Sequence, residues 1–286
     1  MSTDILARIQ AQLHTFSKGQ KRIANYILES YDKAAFMTAS KLGKTVAVSE
    51  STVVRFAVEL GFDGYPSMQR SLQEMVRTRL TSVQRIEAAN DRFGDQDVVS
   101  SVLQSDIDSI RLTAESLDRR EMAACVEAIL QAKHIYIVGV RSSAALAAYL
   151  NFYFRNLFDN VRLVASTATS EMFEQLLRVG KEDVVIGISL PRYSSRTVKL
   201  LQYAHDSGAT VVTITDKPEA PGGKVADLVL CAKSNMVSFV DSLVAPMSVI
   251  NALIVSVGLQ QEDSVAKTYE DLERLWDEYD AFERVE

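Results

Sequence analysis

Two cysteines, three histidines and five prolines are all that 286 residues contain of those types. Cys125 and Cys231 stand far apart and are too few for a disulfide framework, so both are expected as buried, reduced thiols of a cytoplasmic protein. His14, His134 and His205 are scattered without the close spacing of metal ligands, and no metal site is expected. No apolar run approaches the ~20 residues that cross a bilayer, which argues against a membrane partner. The opening MSTDILARIQ carries Asp4 and no apolar core, so no secretion signal is read there. The phosphate-loop pattern G-x-x-x-x-G-K-S/T does not occur, and Gly139-Val140-Arg141-Ser142 is not a G-x-G-x-x-G fingerprint. Nucleotide binding is therefore unsupported and no cofactor is expected. Internal repeats and low-complexity tracts are absent as well.

What is present suits a globular chain. Hydrophobic residues make up 47% and charged residues 24%, enough apolar material for one large domain or two modest ones. The net charge of −6 hides an asymmetry. Residues 1–79 hold 11 Lys and Arg against 7 Asp and Glu, a balance of +4, and the remaining 207 hold 20 against 30, a balance of −10. A basic front on an acidic body suggests a polyanion-binding module attached to something else.

The front reads as short helices. Ser17-Lys18-Gly19-Gln20 has capping-box spacing before apolar Ile23, Tyr26 and Ile27. A second helix starts at Thr38, carries Leu42 inward and ends near Gly43-Lys44. A third starts at Ser49, puts Val53, Phe56, Ala57 and Leu60 on one face, and stops at Gly61. The four residues between them match a helix-turn-helix connection. A mostly polar helix is expected from Pro66 to about Ala89, then a polar break at residues 90–96. Val98, Val102, Ile107 and Ile110 form a further apolar series, and Asp118 with Glu121 a second capping signature. From Lys133 the runs HIYIVG, VRLVA, DVVIGISL, ATVVTITD and DLVLCA alternate with helix-like segments, the pattern of a parallel sheet covered on both faces. Ser242–Val257 is a nearly all-apolar helix that asks for burial against the sheet or a second subunit. The tail from Asp263 to Phe282 is a charged amphipathic helix.

In VSESTVVRFAVELGFDGYPSMQ, Ser51, Thr52 and Arg55 fall opposite the apolar face of the third helix, in its first turns. That part of a helix-turn-helix enters the major groove, where short hydroxyls reach phosphates or base edges and arginine pairs with guanine. Lys44, with Lys18, Lys21 and Arg22 on the first helix, is placed to neutralise phosphates. TASKLGKTVAVSESTVVRFAVELGFDGYP resembles the N-terminal helix-turn-helix of the RpiR/MurR family of bacterial transcription regulators, and QKRIANYILESYDKAAFMTASKL resembles its first helices. The likeness covers about residues 1–80. It departs at Gly43-Lys44-Thr45, where the family more often has a longer helical side chain and then Ala-Gly. The resemblance implies double-stranded operator DNA as a partner, contacted by Lys44, Ser49, Ser51, Thr52, Arg55 and Tyr65.

A second constellation lies in the α/β part. After HIYIVG come Arg141, Ser142 and Ser143 at the start of a helix, where free N–H groups and the helix dipole favour an anion. GISLPRYSSRTVKLL repeats the arrangement with Ser189, Arg192, Ser194, Ser195 and Thr197. Helix capping alone accounts for one such loop, but two at strand C-terminal ends suit a phosphate on a small polyol. Residues 122–260 resemble the SIS (sugar isomerase) domain, whose members bind phosphosugars through Ser and Thr in the loops after the first and third strands. Arg141 stands where that family usually has a second glycine, Ser195 where it has the Gly of S-G-x-T, and the third-strand loop is extended by Leu-Pro-Arg.

Together these readings predict an all-helical N-terminal helix-turn-helix domain over 1–80, a helical linker over 81–121, and a doubly wound parallel-sheet SIS domain over 122–286. The expected function is a non-enzymatic DNA-binding regulator, a repressor of sugar catabolism genes, homodimeric or larger and controlled by a phosphorylated sugar effector. The competing reading is a phosphosugar isomerase with an accessory helical domain, for which Glu171 and then His205 are the acid–base nominees. A third is a ligand-binding module that uses its front for protein contacts. Asp216, at the end of the fourth strand, is a further candidate to approach the ligand, and the loop after it, with two prolines and two glycines, reads equally as a plain surface turn.

Overall fold

In the computed structural model, which describes residues 5–79, 81, 83–86, 97–236 and 239–283, the chain forms two units. The first is Met1–Leu103 with Met236–Asp241, and the second is Gln104–Asn235 with Ser242–Glu286. The expected polar break at residues 90–96 lies outside the described residues.

The first unit holds α1 (Ile5–Gln12), α2 (Lys18–Glu29), α3 (Tyr31–Ala34), α4 (Ala39–Thr45), α5 (Glu50–Glu59) and α6 (Tyr65–Arg79). Each predicted cap is present. Ser17 and Gln20 close a capping box, Thr38 accepts from the Lys41 N–H, and Ser49 accepts from the Thr52 N–H. Ile23, Ile27, Leu42, Val53, Phe56, Ala57 and Leu60 are buried together, joined by Ile5 and Ile9 of α1, a helix that the sequence analysis did not single out. Gly61 ends α5 at φ +83°. Met236 enters this same core, and Asp241 accepts two hydrogen bonds, at 3.0 and 3.1 Å, from the guanidinium of Arg85, which is 1% exposed.

Gly43, a departure from the family pattern, has a steric cause. It is buried in α4, and a Cβ there would lie 2.9 Å from the Val48 carbonyl oxygen. The missing side chain lets the turn fold directly back onto α4. Within the turn Ala47 takes φ 52°, a left-handed conformation that costs a non-glycine residue about 1–3 kcal/mol.

The second unit is built on a five-stranded parallel sheet of β1 (Ile135–Gly139), β2 (Val161–Val164), β3 (Val184–Ile188), β4 (Thr210–Thr215) and β5 (Leu228–Cys231), in the order β2-β1-β3-β4-β5. All five predicted runs become strands. Around them lie α7 (Val98–Ser116), in which the boundary between the units falls, α8 (Arg119–Gln131), α9 (Ser143–Leu157), α10 (Thr169–Gln175), α11 (Ser195–Asp206), α12 (Val244–Leu259) and α13 (Glu262–Glu278). Ile137, Ile186, Val212 and Ile214 pack with α8, α9 and α12 on one face, and Tyr136, Val138, Val185 and Val211 with α10 and α11 on the other. The alternation explains why each strand reads as a continuous apolar run.

Two expectations need correction, and one apolar series does not form core. On α7 Val98, Ile107 and Ile110 are exposed and Val102 is half-buried, and the helix instead buries Ser109 and Thr113. Those hydroxyls accept from the Asn235 side chain at 2.8 Å and the Lys233 N–H at 2.9 Å, so polar bonds rather than apolar contact hold that face. Asp118 caps α8, but Glu121 does not complete the box; its carboxylate accepts from the Val229 N–H at 2.9 Å and so satisfies the edge strand β5. Cys125 is buried, whereas Cys231 is only half-buried. Among the described residues no single helix is long and apolar enough to cross a membrane.

Replacing glycine by alanine inside a helix ordinarily gains about 1 kcal/mol. At Gly43 the sign is expected to reverse, with Gly43→Ala costing about 1–3 kcal/mol as overpacking against backbone; urea unfolding of the purified variant reads it directly.

Candidate functional site

The helix-turn-helix presents the first surface. Lys44, Ser49, Ser51 and Arg55 are exposed and Thr52 is half-exposed. Ser49 is committed to its cap: its hydroxyl accepts from the Thr52 N–H at 3.3 Å and pairs with the hydroxyls of Ser51 at 2.9 Å and Thr52 at 2.8 Å. Ser51 and Arg55 are therefore the outward groups, with the Arg55 Nε donating to the Ser51 carbonyl at 3.4 Å. The start of α2 lies beside α5, since a Cβ on Gly19 would touch Thr52 and Val48 at 3.6 Å and the Gln20 amide donates to Glu59. Exposed Lys18, Lys21 and Arg22 are thereby brought next to α5. The outward face also shows Val54 and Val58, which sequence reasoning passed over because valines beside a core series look like core.

Tyr65 does not belong to this surface. It is 3% exposed, and its hydroxyl donates to the Met37 carbonyl at 2.6 Å, with the Gln69 amide on the same oxygen at 2.8 Å. Burial pushes its phenol up to about 12, so it stays a donor and ties α6 to the segment before α4.

The second surface is the C-terminal edge of the sheet. From β1 the chain turns outward to β2, and from β3 it runs the other way to β4 and β5. The crevice between β1 and β3 is thus the topological switch point, where doubly wound sheets bind ligands. Both predicted loops flank it. A Cβ on Gly139 would lie 2.6 Å from the Ser143 carbonyl oxygen, which is how closely α9 starts against the end of β1. Arg141 takes φ 58°, so the backbone keeps the left-handed form that a glycine there supplies while adding a charge. Ser142 is exposed and makes no side-chain cap bond, and Ser143 is buried behind it.

Across the crevice Ser194 caps α11 by accepting from the Thr197 N–H at 3.4 Å, with Arg192 and Ser195 exposed on either side. Ser189 and Thr197 are 2% and 1% exposed, and the hydroxyl oxygen of each is buried with no hydrogen-bond partner. An unmet buried hydroxyl costs about 1–3 kcal/mol, and two of them lie beside this one loop. The extension in this loop has a visible anchor that the sequence reading missed. Tyr193 donates to Asp216 at 2.8 Å, and Thr215 donates to the Ser189 carbonyl at 2.7 Å, so the ends of β3 and β4 are tied together. The clue was an aromatic in a loop opposite a strand-ending aspartate.

The acid–base nominees do not meet. Glu171 is exposed in the first turn of α10 and accepts from Ser166, while His205 sits in the last turn of α11 beside Asp227 at 3.5 Å, at the opposite end of the sheet. Cavities of about 350 Å³ and about 570 Å³ lie elsewhere. Glu127, Glu182 and Asp183 with Lys181 line the first, which is acidic on balance, and Met122, Val126 and Leu130 with Arg119 line the second.

Residues 3–78 match the helix-turn-helix domain of the rpiR family, and residues 128–256 match the SIS domain. The chain belongs to the RpiR family. Among its relatives is the HTH-type transcriptional regulator HexR of Pseudomonas aeruginosa, 25% identical over 264 residues that cover 90% of each chain. The sugar isomerase domain of an RpiR transcription factor from Sphaerobacter thermophilus is 26% identical with a TM-score of 0.60, over 63% of this chain and 99% of that one. The NanR protein of Vibrio vulnificus complexed with ManNAc-6P has the same fold at 23% identity and a TM-score of 0.57, over 95% of this chain and 98% of that one. This RpiR-family chain is thus a transcriptional regulator with a SIS domain.

Removing a hydroxyl that has no partner should not weaken the fold. Thr197→Val is expected to leave the free protein equally stable or up to about 1 kcal/mol more stable, whereas Ser194→Ala, which removes a cap, should cost about 1 kcal/mol. Chemical denaturation of both variants compares them.

Proposed function

We propose that this regulator grips operator DNA with α5 and the cations beside it, and senses a phosphorylated sugar at the crevice between β1 and β3. The observation that carries the ligand reading is the pair of buried, unpartnered hydroxyls on Ser189 and Thr197 together with an uncapped helix start at Ser142 after the neighbouring strand β1. The N–H groups of α9, the Ser142, Ser143, Ser194 and Ser195 hydroxyls, and Arg141 and Arg192 supply donors and positive charge for a phosphate dianion. The structure of NanR with ManNAc-6P supports that ligand class. In this reading no bond is made or broken, and the separation of Glu171 and His205 at opposite ends of the sheet supports it.

In this proposal residues 1–80 form the DNA-binding domain, 81–121 a helical linker and 122–286 the sensing domain. The protein works in the cytoplasm as a homodimer, because one α5 reads only a few base pairs and useful specificity needs two half-sites. It represses sugar catabolism genes until the effector arrives. The chain crosses between the units after Leu103, Asn235 and Asp241, so a shape preferred by the ligand in one is felt covalently in the other. The coupling equals the difference in ligand affinity between the two arrangements, typically about 1–3 kcal/mol.

Genomic duplexes retained by the full-length protein, followed by a thermal-shift screen of phosphorylated sugars, test both halves. Arg55→Ala is expected to weaken operator binding by about 1–3 kcal/mol with its circular dichroism unchanged. Ser142→Ala combined with Thr197→Val should abolish the thermal shift and keep operator binding. Turnover of a phosphosugar, lost on Glu171→Gln, would instead establish the isomerase.

A further inference from the structure

We propose that Val54, continued one turn later by Val58, reads thymine 5-methyl groups in the operator's major groove. The proposal rests on the DNA-binding reading and adds a specificity determinant to it. Val54 is 38% exposed and Val58 54% exposed, while the core of α5 is made by Val53, Phe56, Ala57 and Leu60. Four residues apart, the two valines share one outward stripe, flanked by Ser51 and Arg55. Neither serves the helix, since a β-branched residue is a poorer helix former than alanine, and neither fills the core.

The charge on that face points the same way. Between Glu50 and Glu59 the sole cation is Arg55, and the cations suited to phosphates lie on α4 and α2 at Lys44, Lys18, Lys21 and Arg22. A face poor in positive charge and bearing methyl groups matches base edges better than backbone. In the major groove thymine alone presents a methyl group, and arginine pairs best with guanine. Arg55 beside Val54 therefore selects a site in which a thymine neighbours a guanine, with the valine side chain and the thymine methyl excluding water from each other.

Duplexes selected by the full-length protein from a random library supply the probe. Each thymine of the selected duplex is then changed singly to uracil, which removes only the methyl group. Wild-type protein is expected to lose about fourfold in affinity at one thymine of each half-site, the worth of one buried methyl. Val54→Ala should bind the thymine and uracil duplexes equally at that position, with unchanged thermal unfolding because Val54 is exposed. Val58→Ala should do the same at a second thymine. Uniform tolerance of uracil, or a methyl effect that survives Val54→Ala, overturns the proposal while operator binding stands. Valine variants that leave the methyl effect intact but shift sedimentation assign the stripe to a second copy of the chain and also overturn it. Failure to select any duplex removes the DNA-binding reading itself.

Discussion

The first turn of every helix carries amide N–H groups with no partner inside the helix, and the way this chain treats them decides where it is closed and where it is open. Ser17, Thr38 and Ser49 turn their hydroxyls back onto the helices they start. Those starts are finished structure, and the groups left to face outward are the next ones along, Ser51 and Arg55. Ser194 does the same for α11. Ser142 does not, and α9 begins without a side-chain cap. One chemistry, a small hydroxyl at a helix N-terminus, thus serves as internal closure at Ser17, Thr38, Ser49 and Ser194 and is left open at Ser142, as it is at Ser30 before the four-residue α3.

The open place lies where the sheet can offer one. Both faces of a parallel sheet must be covered by helices, and here α8, α9 and α12 cover one face and α10 and α11 the other. Only the strand ends remain, and the switch between β1 and β3 splits the loops there into a crevice. The polar interior around it is graded. Thr215 and Asp216 have partners, while Ser189 and Thr197 keep hydroxyls without any. The Tyr193–Asp216 bond ties the extended loop to the end of β4.

Much of this was legible beforehand. Continuous β-branched runs at regular intervals announce five buried parallel strands, and hydroxyls ahead of apolar series announce the helix starts, because both patterns are local. Three of the failures are cases in which a partner distant in sequence decided the matter. Tyr65 looks like a groove contact until Met37 appears across from its hydroxyl. Glu121 looks like half of a capping box, yet its carboxylate is taken by Val229, over a hundred residues away. Val98, Ile107 and Ile110 look like core, but Asn235 and Lys233 claim the other face of their helix through Ser109 and Thr113.

By itself the sequence determined the kind of each element and the chemistry available at each loop, since periodicity, capping and side-chain type act over a few residues. The tertiary structure alone decided which of those groups are spent and which are unmet. Whether a hydroxyl such as that of Ser49 or Thr197 is satisfied depends on what the fold packs against it. That information lies in the spacing of segments brought together through space, and no stretch of chain contains it.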